Sequence, residues 1–209
     1  MDTMERIIGY LTETYHPQAI ILYGSYADDS ANENSDFDAL VIAGHAEKHD
    51  AAVIGQTVLD VFVYPPAYFR KDFDPAAFVQ IYDGKIVLDR DGTAERLRQK
   101  VRDSVDHRPP KTDEEIRQEV GWCEKMLSRT VRGDAEGYYR WHWLLLDSLE
   151  IYCDIRHRFY FGPKKTLRRM EQTDAEAFRI YTRALKEMNR EYLSEWTEYL
   201  KCQTESRAK

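Results

Sequence analysis

The chain has 209 residues, and its 37 acidic side chains outnumber 30 basic ones to give a formal charge of −7. Binding along a nucleic acid backbone, which needs a basic footprint, is therefore not expected. No apolar run approaches the ~20 residues of a membrane span, the opening MDTMERIIGY lacks a basic-then-apolar leader, and Cys123, Cys153 and Cys202 are scattered and never form CxxC, so a cytoplasmic protein with structural thiols is expected.

Apolar residues at helical spacing (Ile7, Ile8, Leu11, Tyr15) predict a first helix over Met4–Tyr15, ended by Pro17. Apolar runs of strand length follow at Ala19–Tyr23, Asp38–Ala43 and Thr57–Tyr64, the last stopped by Pro65-Pro66. A short helix near Pro75–Tyr82, a strand at Lys85–Leu88 and a helix from Thr93 to Val105 complete the first half. Pro109-Pro110 cannot continue a helix, and Thr112 with Glu115 forms a capping box for the next one. Beyond that point the pattern is helical throughout: Asp113–Arg132, Ala135–Arg158, Pro163–Met170 and Asp174–Cys202. The expected fold is α+β: an α/β domain with a small mixed sheet over residues 1–108, then a helical bundle over 109–209.

The chemistry concentrates in ILYGSYADDSANENSDFDALVIAG. An apolar run ends in Gly24-Ser25, whose backbone N–H groups and hydroxyl, in a turn before a helix, suit a phosphate. Twelve residues after Gly24 come Asp36 and Asp38, spaced i, i+2 at a strand start, hence on one face and roughly 6–7 Å apart. Asp60 lies inside TVLDVFVY, a strand apolar on both faces and so expected to be central. A lone carboxylate there is costly unless it is paired, hydrogen-bonded or bound to a cation. Three carboxylates on neighbouring strands supply the hard oxygens that Mg²⁺ prefers, and two such ions can activate an attacking hydroxyl and neutralise a transferring phosphoryl group.

Gly24-Ser25-x-Ala27…Ser35-Asp36-x-Asp38, with Asp60 as the later acid, resembles the signature of the DNA polymerase β-type nucleotidyltransferase superfamily over about residues 15–90. A helical second domain is similar in layout to the kanamycin, lincosamide and streptomycin nucleotidyltransferases. By position, the resemblance implies that Gly24 and Ser25, with Ser35, hold the triphosphate, that Asp36 and Asp38 ligate Mg²⁺, and that Asp60 is the third acid, as metal ligand or base. It implies nucleotidyl transfer from an NTP, with ATP expected, to a hydroxyl of a small cationic molecule such as an aminoglycoside-like antibiotic, hence a role in antibiotic resistance. The alternatives are a protein-AMPylating antitoxin and a nucleotide-binding regulator without turnover. One position departs from the family: its frequent second glycine, two residues after Ala27, is Asp29 here.

In the helix Ala135–Arg158, Glu136, Trp143, Asp147, Glu150 and Asp154 fall on one stripe facing either solvent or a cleft. Glu150 and Asp147 are its candidates for acceptor binding or general base. Most of the remaining circumference is apolar, including Tyr138, Leu144, Leu146 and Leu149, and Trp122, Trp141 and Trp143 are read as core. His142 and His157 lack partners at ligand spacing, and Arg102…His107 has an Rx4H spacing read as coincidental.

Overall fold

Ile7, Leu11 and Tyr15 recur every fourth residue and are buried along one side of α1 (Thr3–Tyr15). The helix ends where His16 turns left-handed, φ 47°, ahead of Pro17. The computed structural model describes residues 2–207. The chain divides between Arg108 and Pro109 into two compact units.

In the first unit α1 is followed by β1 (Ala19–Leu22), β2 (Phe37–Ile42), β3 (Lys48–Asp50), β4 (Val53–Ile54), β5 (Thr57–Tyr64) and β6 (Lys85–Asp89). An irregular 3₁₀ stretch, Pro75–Ile81, precedes β6, and α2 (Thr93–Asp106) follows it. The sheet order is β3-β5-β2-β1-β6, with β4 also paired to β5. Only β2 and β5 run parallel, so the sheet is mixed. Alternation sorts the strand residues onto two faces. Ile20, Leu22, Val41, Leu59 and Val61 pack against α1, while Ile21, Leu40 and Ile42 pack against the 3₁₀ stretch and α2 through Phe78, Ile81 and Leu97.

β3 and β4 were not foreseen from the sequence. Their pairings, Asp50 with Val61 and Val53 with Val58, belong to one hairpin with β5, closed by the two-residue turn Gly55-Gln56. Gly55 has φ 70°, the left-handed backbone such turns use and glycine adopts without strain. Buried Asp50 ties the hairpin to α1 by accepting from the hydroxyls of Tyr15 (2.7 Å) and Tyr10 (3.0 Å) and from Ala52 N–H (3.0 Å). Burial raises the proton affinity of Asp50, but these bonds and the nearby Lys48 outweigh it and hold the carboxyl below its ordinary value. Burial, then the bond to Asp50, pushes the Tyr15 hydroxyl up to about 12.

The second unit is wholly helical: α3 (Asp113–Arg129), a 3₁₀ turn (Thr130–Arg132), α4 (Ala135–Ile155), α5 (Pro163–Thr173), α6 (Ala175–Lys186) and α7 (Arg190–Arg207). Thr112 and Glu115 cap α3 reciprocally, as their spacing predicts. The pattern over Asp174–Cys202 predicts one helix, but the chain forms two. The backbone is extended at Glu187, and the Asn189 side chain caps the new start by accepting from Glu191 N–H at 2.9 Å. Trp196 is fully buried, and its indole N–H reaches Ser148 Oγ at 2.8 Å. Of the three tryptophans assigned to the core, Trp141 is buried and Trp122 half-buried, but Trp143 is exposed, as are Tyr138 and Leu146. Among the described residues no helix is long and apolar enough to cross a membrane.

Candidate active site

Parallel pairing of β2 with β5 places Asp38 directly opposite Asp60. Their backbones are therefore one inter-strand spacing apart, about 4.8 Å, with both side chains on one face. Phe37 and Ala39, the neighbours of Asp38, are fully buried on the other face, which fixes the direction of the carboxylate. Asp36 lies one residue before β2 and is exposed. Asp38 and Asp60 are partly exposed, on the face shared by Leu40, Ile42, Phe62 and Tyr64.

Gly24 backs Asp38 from the end of β1. Its φ is 64°, and a Cβ there would stand 2.2 Å from Asp38 Oδ2, so only glycine lets turn and carboxylate approach this closely. The sequence predicts a helix after Gly24-Ser25, but the structure has a single 3₁₀ turn, Gly24–Tyr26, with Ser25 buried within it. The loop beyond is organised by its own side chains. Asp28 Oδ1 accepts from Ser30 N–H at 3.2 Å, and Asn32 N–H donates to Ser35 Oγ at 3.0 Å. The hydroxyl of Ser35 thus already closes the turn leading into Asp36. Asp29 is exposed with φ 56°, a left-handed backbone that glycine adopts without strain.

Two further residues complete the surroundings. Tyr23 donates its N–H to Asp38 O at 3.1 Å. Its hydroxyl is pushed strongly up, first by burial and then by the negative charges of Asp60 and Asp38. His49 on β3 contacts Asp60, with Nε2 2.7 Å from Oδ1, and its ring stacks on Phe62 at 4.6 Å and 22°. Asp60 is therefore not desolvated inside an all-apolar strand. β5 is central, but its second face is half open, and the side chains of Asp60 and His49 are 42% and 49% exposed. The missed signal was the sequence VIGQTV, a glycine-led two-residue turn between apolar residues that folds residues 48–54 back onto β5.

The acceptor candidates lie in the second unit. Asp147 and Glu150 are exposed on α4, and Asp147 accepts from the Trp143 indole N–H at 2.5 Å. The rest of the predicted acidic stripe is engaged locally, with Asp154 bound by Lys111 at 2.8 Å and Glu136 paired with Arg132 and Arg140. His142 and His157 are exposed. Arg102 donates to Tyr82 O (2.9 Å), and His107 turns to the Asp103 carbonyl (2.8 Å), so the Rx4H pair is held by structural contacts.

Among the described residues no three His, Cys, Asp or Glu side chains form a ready-made metal cage. Asp38 and Asp60, opposite each other in register, are instead an open pair of hard oxygen donors, with exposed Asp36 just before β2. That arrangement fits Mg²⁺, which keeps several waters and is held by one or two carboxylates together with substrate phosphates. The Asp38 carboxylate occupies the place a Cβ on Gly24 would take, so the bare Gly24 backbone lies directly against this donor.

Comparison with known proteins assigns the chain to a family. The family model described as a nucleotidyltransferase domain matches residues 4–111. A solved toxin–antitoxin structure with AMP-PNP is similar at 19% identity and a TM-score of 0.34, over 51% of this chain and 89% of that one. A nucleotidyltransferase-like protein from Exiguobacterium sibiricum 255-15 is similar at 15% identity and a TM-score of 0.39, over 98% of this chain and 74% of that one. No curated protein matches the chain. With its family model covering the unit that carries Gly24, Asp36, Asp38 and Asp60, the chain belongs to the nucleotidyltransferase-domain family.

Proposed function

We propose that this nucleotidyltransferase moves AMP from ATP to a hydroxyl of a small cationic acceptor of the aminoglycoside or lincosamide kind. The observation that carries the transfer is the register pairing of Asp38 with Asp60 beside Gly24, where any Cβ would clash with the Asp38 carboxylate. An acceptor oxygen attacks the α-phosphorus of ATP, the new O–P bond forms as the bond to pyrophosphate breaks, and the hydroxyl proton passes to a base. Bound Mg²⁺, in one or two ions, would supply charge neutralisation and activation of the attacking oxygen. The chain's own residues hold and orient: Gly24 and Ser25 with Ser35 at the triphosphate, Asp36 and Asp38 as metal ligands, and Asp60 as third ligand or base. Positioning and charge neutralisation do most of the work in such transfers. A cationic acceptor is supported by the charge of −7 and by the exposed carboxylates of Glu150 and Asp147.

The test is a pyrophosphate-release screen with each NTP across antibiotics and candidate proteins, comparing wild type with Asp38→Asn. Release with a cationic antibiotic and ATP, abolished in Asp38→Asn while the fold is retained, is the expected result. Release only with a protein acceptor points to the AMPylating antitoxin. Nucleotide binding without release across the whole panel points to a regulator.

A further inference from the structure

We infer that His49 is a positioning residue that fixes the Asp60 carboxylate for its work in the transfer site. The inference rests on the reading of Asp60 as the third acid.

The argument starts from the hairpin. Register sets His49 directly opposite Phe62. Alternation puts Phe62 and Asp60 on the same face of β5, so His49 reaches Asp60 diagonally, two residues along. An ionised carboxylate only accepts hydrogen bonds, so the 2.7 Å contact has His49 Nε2–H donating to Asp60 Oδ1. Stacking on Phe62, nearly parallel at 4.6 Å, fixes the plane of the imidazole. The far end of the hairpin is anchored as well, because the next residue, Asp50, is buried and held by Tyr10 and Tyr15 of α1. His49 is therefore a rigid donor. With one oxygen of Asp60 bound, the carboxylate can no longer rotate freely about its last bond, on the face it shares with Asp38. Outer partners that orient a ligating carboxylate typically matter 10–100-fold in metal affinity or activity.

A purely structural role makes a different prediction. If His49 only pins β3 to β5, any flat ring stacking on Phe62 would serve equally well. The two roles separate with His49→Phe, which keeps the stack and removes the donor, and His49→Gln, which keeps a donor at the reach of Nε2 and removes the ring.

The experiment measures Mn²⁺ affinity by electron paramagnetic resonance in the full chain with a non-hydrolysable ATP analogue. It is paired with kcat and KM for pyrophosphate release and with thermal melting. Wild type, His49→Phe, His49→Gln and Asp60→Asn are compared. Positioning predicts that His49→Phe loses about 10–100-fold in Mn²⁺ affinity while melting near wild type, and that His49→Gln recovers to within about threefold. Wild-type Mn²⁺ affinity in His49→Phe, or an equal loss in both His49 variants, overturns the inference. If Asp60→Asn and His49→Phe both bind Mn²⁺ as tightly as wild type, the reading of Asp60 as a ligand fails; if Asp60→Asn loses affinity and His49→Phe does not, the positioning inference alone fails.

Discussion

A side chain on Gly24 and the carboxylate of Asp38 cannot occupy the structure together. The Cβ of an alanine at 24 would lie 2.2 Å from Asp38 Oδ2 and 2.9 Å from its Cγ, on a backbone with φ 64°. Gly24→Ala therefore has to displace the Asp38 carboxylate or reshape the turn, in addition to about 1–2 kcal/mol of left-handed backbone strain. Transfer activity is expected to fall at least a hundredfold, while circular dichroism shows a retained fold. Activity within threefold of wild type would show that Asp38 acts from another position.

Asp29 gives the opposite case, a residue that tolerates a conformation better suited to glycine. Its φ is 56° and it is exposed, so Asp29→Gly removes strain and one negative charge from the loop following Ser25. The KM for ATP should fall about two- to fivefold at low salt, with kcat unchanged and the gain fading at high ionic strength. A KM that stays fixed across salt concentrations would separate Asp29 from the phosphates.

Asp174 joins three helices of the second unit. It caps α6 through Ala177 N–H at 3.2 Å and accepts from the Tyr152 and Tyr199 hydroxyls, each at 2.9 Å, and from Arg156 at 2.5 Å. Burial raises its proton affinity, but the bonds from Ala177, Tyr199 and Tyr152 and the charge of Arg156 outweigh that and hold the carboxyl below the ordinary 3.8. A depressed carboxyl stabilises the fold above its unfolded value and loses that contribution as pH falls through the folded one. Urea unfolding should therefore show stability level from neutral pH to about 4 and falling below it. Asp174→Asn should cost about 2–3 kcal/mol at pH 7, discounted from a fully buried pair, and should flatten the acid limb. An unchanged acid limb would assign it to other carboxylates.

Glu150 and Asp147 differ in what they are free to do. Asp147 already receives the Trp143 indole N–H, whereas Glu150 is exposed on the same helix. For a cationic acceptor, Glu150→Gln should raise acceptor KM about tenfold and Asp147→Asn less, with the KM for ATP unmoved in both. Unchanged acceptor KM in both variants would remove α4 from acceptor binding.

The legibility of the sequence varied with how local each signal was. Thr57–Tyr64 was readable to the residue because β-branched and aromatic residues fill it and two prolines stop it. Asp36, Asp38 and Asp60 were readable as candidates because acids at strand positions are conspicuous. What joins them was not readable, since the Asp38–Asp60 register depends on pairing across more than twenty residues of chain. His49 escaped notice because Lys48-His49-Asp50 has no apolar alternation, and only pairing with β5 makes it a strand. The break between α6 and α7 has neither proline nor glycine, and its cap is a single asparagine.

The parallel pairing of β2 and β5 has a consequence for how the protein comes into being. Parallel neighbours cannot be joined by a tight turn, so the two acids come together only after the chain has left β2, formed the hairpin and returned. A nascent or partly folded chain then has Asp36 and Asp38 but no completed trio, and it offers a divalent cation little to distinguish it from any acidic peptide. Tight cation binding would thus be a property of the finished sheet alone, so added Mn²⁺ would act as a ligand of the native state and raise its melting temperature by mass action. The same titration that reports on the chemistry would report whether two distant stretches of chain have found their register.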